Sequence, residues 1–530
     1  MSFVSYGFVA FMTVCLLAYY ITPKKFRYLV LLLASYVFYI LAMRRYVIYL
    51  FVTTVTVYGA GILIDRIAKQ QKAYIKAKKE QLSKEEKKAY KASMKKKQKT
   101  VLVICLLLNF GVLAFLKYAN FVIANVNFLR QSLFHNTNYI SFFSLVLPLG
   151  ISFYTFQATG YLIDIYFGKY EAERHFGKFA LFVSFFPQII QGPISRFDEL
   201  SKTLFEGHDY DFNNLVYGFY QIMWGLFKKL LIADRVASYV ANTIASHREL
   251  GGGYILLAIF LYSMQIYADF SGGIDITIGS ARMFGVSVTK NFDRPFFSKS
   301  VAEYWRRWHI TLGTWFKDYI FYPLSIAKWT IHLGKWIRTH INENLGKKVP
   351  IYVSMFIVWF TTGLWHGAEW RYIIWGMLNF LILAVSTELE PYYDKWYEML
   401  SIRKDGRIRK FWQVFRTFWI MSFLRVFDIS AGVKDACSVI RGVFYNFFDL
   451  KLAKVEELGL PMEELRMALF ACLVVLCVSL LQRKGSIRDR IMKSALPVRW
   501  ACMAVLVITV IVFGSYGIGY DARDFIYLQF

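Results

Sequence analysis

Apolar stretches about twenty residues long recur through this chain from its first residues almost to its last, and few of them carry a polar face wide enough to meet water. FVSYGFVAFMTVCLLAYYI (3–21) and YLVLLLASYVFYILAM (28–43) are typical, and each is long enough to span a bilayer. A backbone in hydrocarbon must satisfy its own hydrogen bonds, so uninterrupted runs of this kind can only be helices. The expected class is therefore all-α, a polytopic membrane protein with 10 to 13 crossings at about 20 residues each. No basic leader precedes the first apolar run and no small-residue cleavage site follows it, which predicts a retained first helix rather than a signal peptide.

The formal charge of +27 would suggest nucleic acid in a soluble protein. Here the basic residues gather between the apolar runs: residues 65–99 hold 14 Lys and Arg against 4 acids. Short basic loops stay cytoplasmic, where anionic lipid also attracts them, so no nucleic-acid partner is expected. Counting back through three spans places the amino terminus outside, in agreement with a cytoplasmic TPKKFR and against Arg44 and Arg45, which then fall outside. The stretch 482–500 carries Arg483, Lys484, Arg488, Arg490, Lys493 and Arg499 against Asp489 alone, which predicts a cytoplasmic loop and an external carboxyl terminus. Cys15, Cys105, Cys472, Cys477 and Cys502 lie in apolar runs without a close CxxC pair, so neither disulfide nor metal is expected.

These features divide the chain into three N-terminal spans (1–64), a basic cytoplasmic linker with surface-helix composition (65–99), a central core (100–400) and C-terminal helices with an aromatic tail (401–530). FALFVSFFPQIIQGPISRF (179–197) holds Pro187, Gly192 and Pro193 within seven residues. Broken backbone at membrane depth survives only inside protein or along a wet cavity, so this segment reads as re-entrant, with Gln188 and Gln191 as candidate cavity residues. No internal repeat is visible, which disfavours a transporter built on inverted halves.

Two of the eight histidines stand out. His366 lies in FIVWFTTGLWHGAEWRYIIWGML (356–378), beside Glu369 and Arg371. His309 lies in FFSKSVAEYWRRWHITLGTWFKDYIFYPL (296–324), where Ser300 and Glu303 form a capping-box pattern and Trp305, Trp308, Leu312, Trp315 and Tyr319 recur at helical spacing. That spacing puts His309 on the face of Trp305, pointing inward. Each could be a buried neutral histidine bonded to a neighbouring helix. An ionisable group in an apolar segment is costly, however, and points to function. Gly363 and Gly367 near one histidine, and Gly313 near the other, suggest open space. Histidine also exchanges protons near neutral pH, so the pair reads as a general base and a positioning group. In YSMQIYADFSGGIDITIGSARMFG (262–285), Asp269 and Ser271 read either as cavity wall or, for Asp269, as a partner for an arginine of WRRWH; Asp164 reads as structural.

SFFPQIIQGPISRF, IYADFSGGIDITIG, NFDRPFFSKSVAEYWRRWHITLGTWFKDYIFYPL and GLWHGAEWRYIIWG together resemble, in order and wording, the membrane-bound O-acyltransferase (MBOAT) family, nearest its alginate O-acetylation branch and more distantly its teichoic acid D-alanyl transfer branch. The resemblance implies a ring of tilted helices around a central tunnel and a near-invariant histidine at His366. It also implies a second histidine at His309, where some members carry Asn. It implies a cytoplasmic acyl-thioester donor (acetyl-CoA or an acyl carrier protein) as substrate, with no bound cofactor. An extracellular serine esterase-like partner and a polysaccharide acceptor complete the set. In that setting His366 would serve as base, Trp305, Trp308, Trp359 and Trp365 would wall the site, and His309 would orient the thioester or steady an oxyanion. The alternatives are D-alanyl transfer toward teichoic acid and, from another class, a transporter or flippase.

The chain closes on YDARDFIYLQF, where Phe525, Ile526, Tyr527, Leu528 and Phe530 form a patch that needs burial. One reading is an interfacial aromatic anchor. The other follows from resemblance to the closing aromatic motif of related acylation systems: the phenylalanines dock the tail, and the Tyr527 hydroxyl meets His366 and relays the acyl group.

Overall fold

The computed structural model describes residues 3–135, 138–403, 405–516, 525 and 526, and among them all regular structure is helical, as expected. The chain forms two compact units, residues 1–214 with 280–289, and residues 215–279 with 290–530.

The first unit contains α1 (Tyr6–Ile21), α2 (Arg27–Met43), α3 (Val47–Ala77), α4 (Lys84–Phe134), α5 (Ile151–Phe167) and α6 (Phe176–Ser184). The lysine-rich stretch is no separate surface helix. Its residues extend α3 and α4, which double back across a short turn and pack along each other. At 51 residues α4 is about 75 Å long, far more than a hydrocarbon core of about 30 Å requires. Its start is fixed by a reciprocal capping box: the Ser83 hydroxyl accepts from the Glu86 N–H at 3.1 Å, and the Glu86 carboxylate accepts from the Ser83 N–H at 2.8 Å.

Residues 179–197 break as their prolines and glycine predict. Helix α6 ends at Ser184, a single turn follows from Phe186 to Ile189 with Pro187 near its start, and the chain then runs extended through buried positions. Gln188 donates to the Ser195 hydroxyl at 2.6 Å. Gln191 is fully buried in the same unit. Asp164 pairs with Lys169 at 2.7 Å, in the structural role expected of it.

The second unit carries most of α7 (Phe212–Lys228), which continues as a π-helical turn from Lys229 to Ala233, and most of α8 (Gly252–Met283). It continues with α9 (Val301–Arg307), α10 (Ile310–Phe316), α11 (Lys328–His340), α12 (Glu343–His366), α13 (Trp370–Met399), α14 (Arg407–Leu424), α15 (Met462–Leu481) and α16 (Leu496–Phe513).

Among the described residues seven segments are long and apolar enough to cross a membrane, the first of which, Lys24–Ala77, contains both α2 and α3. The chain is a multi-pass membrane protein. Residues 140–167 become helical only from Ile151, and the 212–233 run changes hydrogen-bond pattern at Lys229.

Candidate active site

The 296–324 stretch is interrupted where its periodicity predicted one helix. Ser300 caps α9 by accepting from the Glu303 N–H at 3.1 Å, as its spacing predicted, but the Glu303 carboxylate turns to the Lys299 N–H instead of closing the box on Ser300. Helix α9 then stops after seven residues. His309 follows in the left-handed region (φ +46°, ψ +53°), and α10 starts immediately behind it. A non-glycine residue held there costs about 1–3 kcal/mol, so surrounding contacts must impose it. Asn291 supplies them. Its carbonyl accepts from the Ile310 N–H at 3.0 Å, and its side-chain oxygen accepts from the Thr311 N–H at 3.1 Å and the Thr311 hydroxyl at 2.9 Å. The same oxygen stands 3.2 Å from His309 Nδ1. His309 is 3% exposed, with its ring edge-on to Phe270 at 4.8 Å and Trp365 at 5.8 Å.

His366 is the last residue of α12 and 7% exposed. The close crossing of α12 and α13 places it. A Cβ on Gly363 would lie 2.5 Å from the Tyr372 carbonyl oxygen, and one on Gly376 would overlap the Trp359 carbonyl. A Cβ on Gly367 would overlap the Tyr372 ring. Gly363 and Gly367 therefore admit the neighbouring helix rather than open space. This crossing sets the His366 ring against Trp375 at 4.5 Å and Trp365 at 5.0 Å, so Trp365 touches both histidines.

Both histidines line a pocket of about 380 Å³ together with Trp305, Trp308, Gly313 and Trp359. Trp305 packs on Trp359 at 4.9 Å and donates from its indole N–H to Asn379 at 3.0 Å. Trp308 stacks on Tyr304 and lies under the Arg425 guanidinium, 4.0 Å from its ring centroid, while Arg425 also donates to the Tyr304 hydroxyl. Rigid aromatic walls around two imidazoles make a site that can hold an apolar group and move a proton beside it.

Asp269 and Ser271 do not line this pocket. They belong to a buried charge network that the sequence did not suggest, centred on Lys228 and Lys229. Helices α7 and α8 meet so closely that a Cβ on Gly225 would lie 2.5 Å from the Gly272 carbonyl oxygen, the small-residue contact of membrane helices. Lys228 consequently reaches Asp275 at 2.6 Å and the Ser271 hydroxyl at 2.7 Å, and Lys229 pairs with Asp269 at 2.7 Å and Asp234 at 2.8 Å. Gln221 and Arg488 add further bonds to Asp275. Asp269 thus pairs with a lysine, not with an arginine of WRRWH. The tail docks here too. Phe525 is 1% exposed beneath Lys229 Nζ, 4.6 Å from its ring centroid, and the Ile526 N–H donates to Asp269 at 2.9 Å. Tyr527 lies outside the described residues.

Asn291, Arg425, Lys228 and Lys229 were not foreseen as site or network residues. The one available signal was the Lys-Lys pair inside the apolar run 212–233.

A family model described as "MBOAT, membrane-bound O-acyltransferase family" matches residues 132–328 and 325–431, which contain both histidines. A protein of Pseudomonas aeruginosa named as a probable alginate O-acetylase is 32% identical over 379 residues, covering 72% of this chain and 64% of that protein. A Helicobacter pylori peptidoglycan O-acetyltransferase is 29% identical over 64% of each. A Bacillus subtilis teichoic acid D-alanyltransferase is 27% identical over 53% of this chain and 68% of its own length. The chain therefore spans slightly less than two thirds of the length of the first curated relatives it matches.

Proposed function

Because the chain belongs to the membrane-bound O-acyltransferase family, we propose that it is an O-acyltransferase that takes an acetyl group from a cytoplasmic thioester and delivers it across the plasma membrane for O-acetylation of a surface or secreted polysaccharide. The observation that carries this reading is the pairing of His309 and His366 on one aromatic-walled pocket, bridged by Trp365. A hydroxyl oxygen attacks the thioester carbonyl carbon as its proton passes to His366. The carbon–sulfur bond breaks, and the departing thiolate leaves as a thiol once reprotonated. A positioned base of this kind contributes about 10²–10⁴-fold. Trp305, Trp308 and Trp359 exclude water that would hydrolyse the thioester.

The tail extends the reading. Phe525 and Ile526 are held by Lys229 and Asp269, which anchors the chain one residue before Tyr527. In this proposal the Tyr527 hydroxyl accepts the acyl group and yields it to an extracellular serine esterase-like partner. The termini lie outside, and the lysine-rich turn between α3 and α4 faces the cytoplasm, where its charge attracts a phosphate-bearing or acidic donor. The names of the Pseudomonas and Helicobacter relatives favour acetyl over D-alanyl as the group moved.

The test is transfer of labelled acetyl from acetyl-CoA and, separately, from an acetylated carrier protein, using the purified chain in proteoliposomes with its extracellular partner. Label should reach Tyr527 and then the acceptor. Transfer of D-alanine and not acetyl would replace the reading with alanylation, and movement of an intact solute without thioester cleavage would replace it with transport. Tyr527→Phe preserves docking and removes the hydroxyl. Unchanged polymer acylation in that variant would reduce Tyr527 to an anchor. A cysteine at Lys88 should resist an impermeant thiol reagent in intact cells while one at Tyr6 reacts; the reverse would invert the orientation.

A further inference from the structure

We infer that Asn291 is a positioning residue that holds His309 in the tautomer protonated at Nδ1, so that the imidazole enters acyl transfer as an acceptor at Nε2 and not as a hydrogen-bond donor. The assignment of the proton follows from one unambiguous donor. The Thr311 backbone N–H can only donate, and it points at the Asn291 side-chain atom 3.1 Å away, so that atom must be the amide oxygen. A flipped amide would set its NH2 group against this N–H, two donors face to face. The same oxygen is 3.2 Å from His309 Nδ1, which must therefore carry a proton. A neutral ring protonated at Nδ1 keeps its lone pair at Nε2.

Asn291 is well placed to enforce this choice. It is fully buried, and its backbone carbonyl also accepts from the Ile310 N–H at 3.0 Å, so one residue clamps both the ring and the chain on which the ring is mounted. A second tie holds the clamp to α9, where the Asp293 N–H donates to the Arg307 carbonyl at 2.9 Å. The other sides of the ring meet Phe270 and Trp365, which hold its plane. Nε2 of neutral His309 can receive a proton or a hydrogen bond from a hydroxyl or thiol. It cannot steady an oxyanion until it has gained a proton, which narrows the two roles that the sequence left open for this residue. The tautomer follows from geometry alone, whereas its use in acyl transfer rests on the function proposed above.

The test is ¹⁵N NMR of histidine-labelled full-length protein in lipid nanodiscs, with the His309 signals identified by their loss in His309→Gln. The expected spectrum has His309 protonated at Nδ1 and bare at Nε2. Asn291→Asp keeps the acceptor and should keep the tautomer. Asn291→Leu removes the acceptor at similar size and should mix the tautomers, lowering kcat by between about 10²- and 10⁴-fold with little change in KM. A wild-type His309 protonated at Nε2 would overturn the inference, and so would wild-type kcat in Asn291→Leu. If the Leu variant does not fold, the wild-type spectrum decides alone. An Nδ1-protonated His309 in a protein that transfers no acyl group would support the tautomer while defeating the proposed activity.

Discussion

The histidine pocket and the lysine network are both polar sites inside apolar helices of one unit, but they handle polarity in opposite ways. In the network both lysines are paired with carboxylates within 2.8 Å where α7 and α8 cross closely, although Lys228 also borders an apolar cavity of about 570 Å³. In the pocket, two imidazoles are framed by indole rings and face a cavity large enough for a substrate group. Closed charge fixes architecture, since removing one partner strands the other. An imidazole on a cavity wall is available to chemistry. Polar residues in a membrane protein therefore separate by what surrounds them more than by their own type.

The contrast is broken most directly at its extremes. His366→Ala should lower acyl transfer by about 10²–10⁴-fold, equivalent to ~3–5 kcal/mol of barrier, with an unchanged unfolding temperature in detergent. Loss of folded protein in that variant would make His366 architectural and erase the distinction. Lys229→Met should do the reverse, destabilising by about 3–5 kcal/mol because Asp269 and Asp234 are left buried together. A thermal melt at the wild-type value would show that the network holds nothing in place.

Phe525→Ala tests the seam between the two, since the tail docks on the network while its next residue is proposed to serve the pocket. Loss of a desolvated cation–π contact of about 2 kcal/mol should release the tail, and limited proteolysis should trim it faster than in wild type. Equal protease resistance would mean that the Asp269 bond to Ile526 suffices. The smallest effect lies outside both regions. Ser83→Ala should cost about 1 kcal/mol of cap and speed amide exchange in the first turn of α4. The Ser83 N–H holds the Glu86 carboxyl below its usual pKa. The cap is therefore intact above the ordinary carboxylate range and is lost as pH falls through the lowered pKa, so exchange in this turn should rise on acidification. Exchange independent of pH would show that the carboxylate adds nothing.

The helical class, the break after Ser184, the burial of Phe525 and the two histidines were legible because each rests on local sequence: apolar length, Pro-Gly density, aromatic content. The interruption at His309 was not. Trp305, Trp308, Leu312 and Trp315 keep helical spacing straight through it with no glycine or proline between Trp305 and Leu312, and the turn is imposed by Asn291, eighteen residues upstream in sequence. Lys228 and Lys229 were missed for a related reason, as their partners on α8 are more than forty residues away or at that limit, and only the helix crossing brings them together. Gly363 and Gly367 were seen but assigned to open space, because a sequence shows that room exists without showing what fills it.

The left-handed backbone at His309 also acts as a sieve on evolutionary drift. Histidine, asparagine and aspartate tolerate that conformation far better than other side chains, and β-branched residues scarcely adopt it. Most codon changes at this position are thus rejected by the main chain before catalysis is ever tested, whereas an exchange to asparagine passes that first screen. A descendant could lose the imidazole, keep the fold and retain a hydrogen-bonding group at the same place. The geometry of the turn, more than the reaction, sets which amino acids this position can sample.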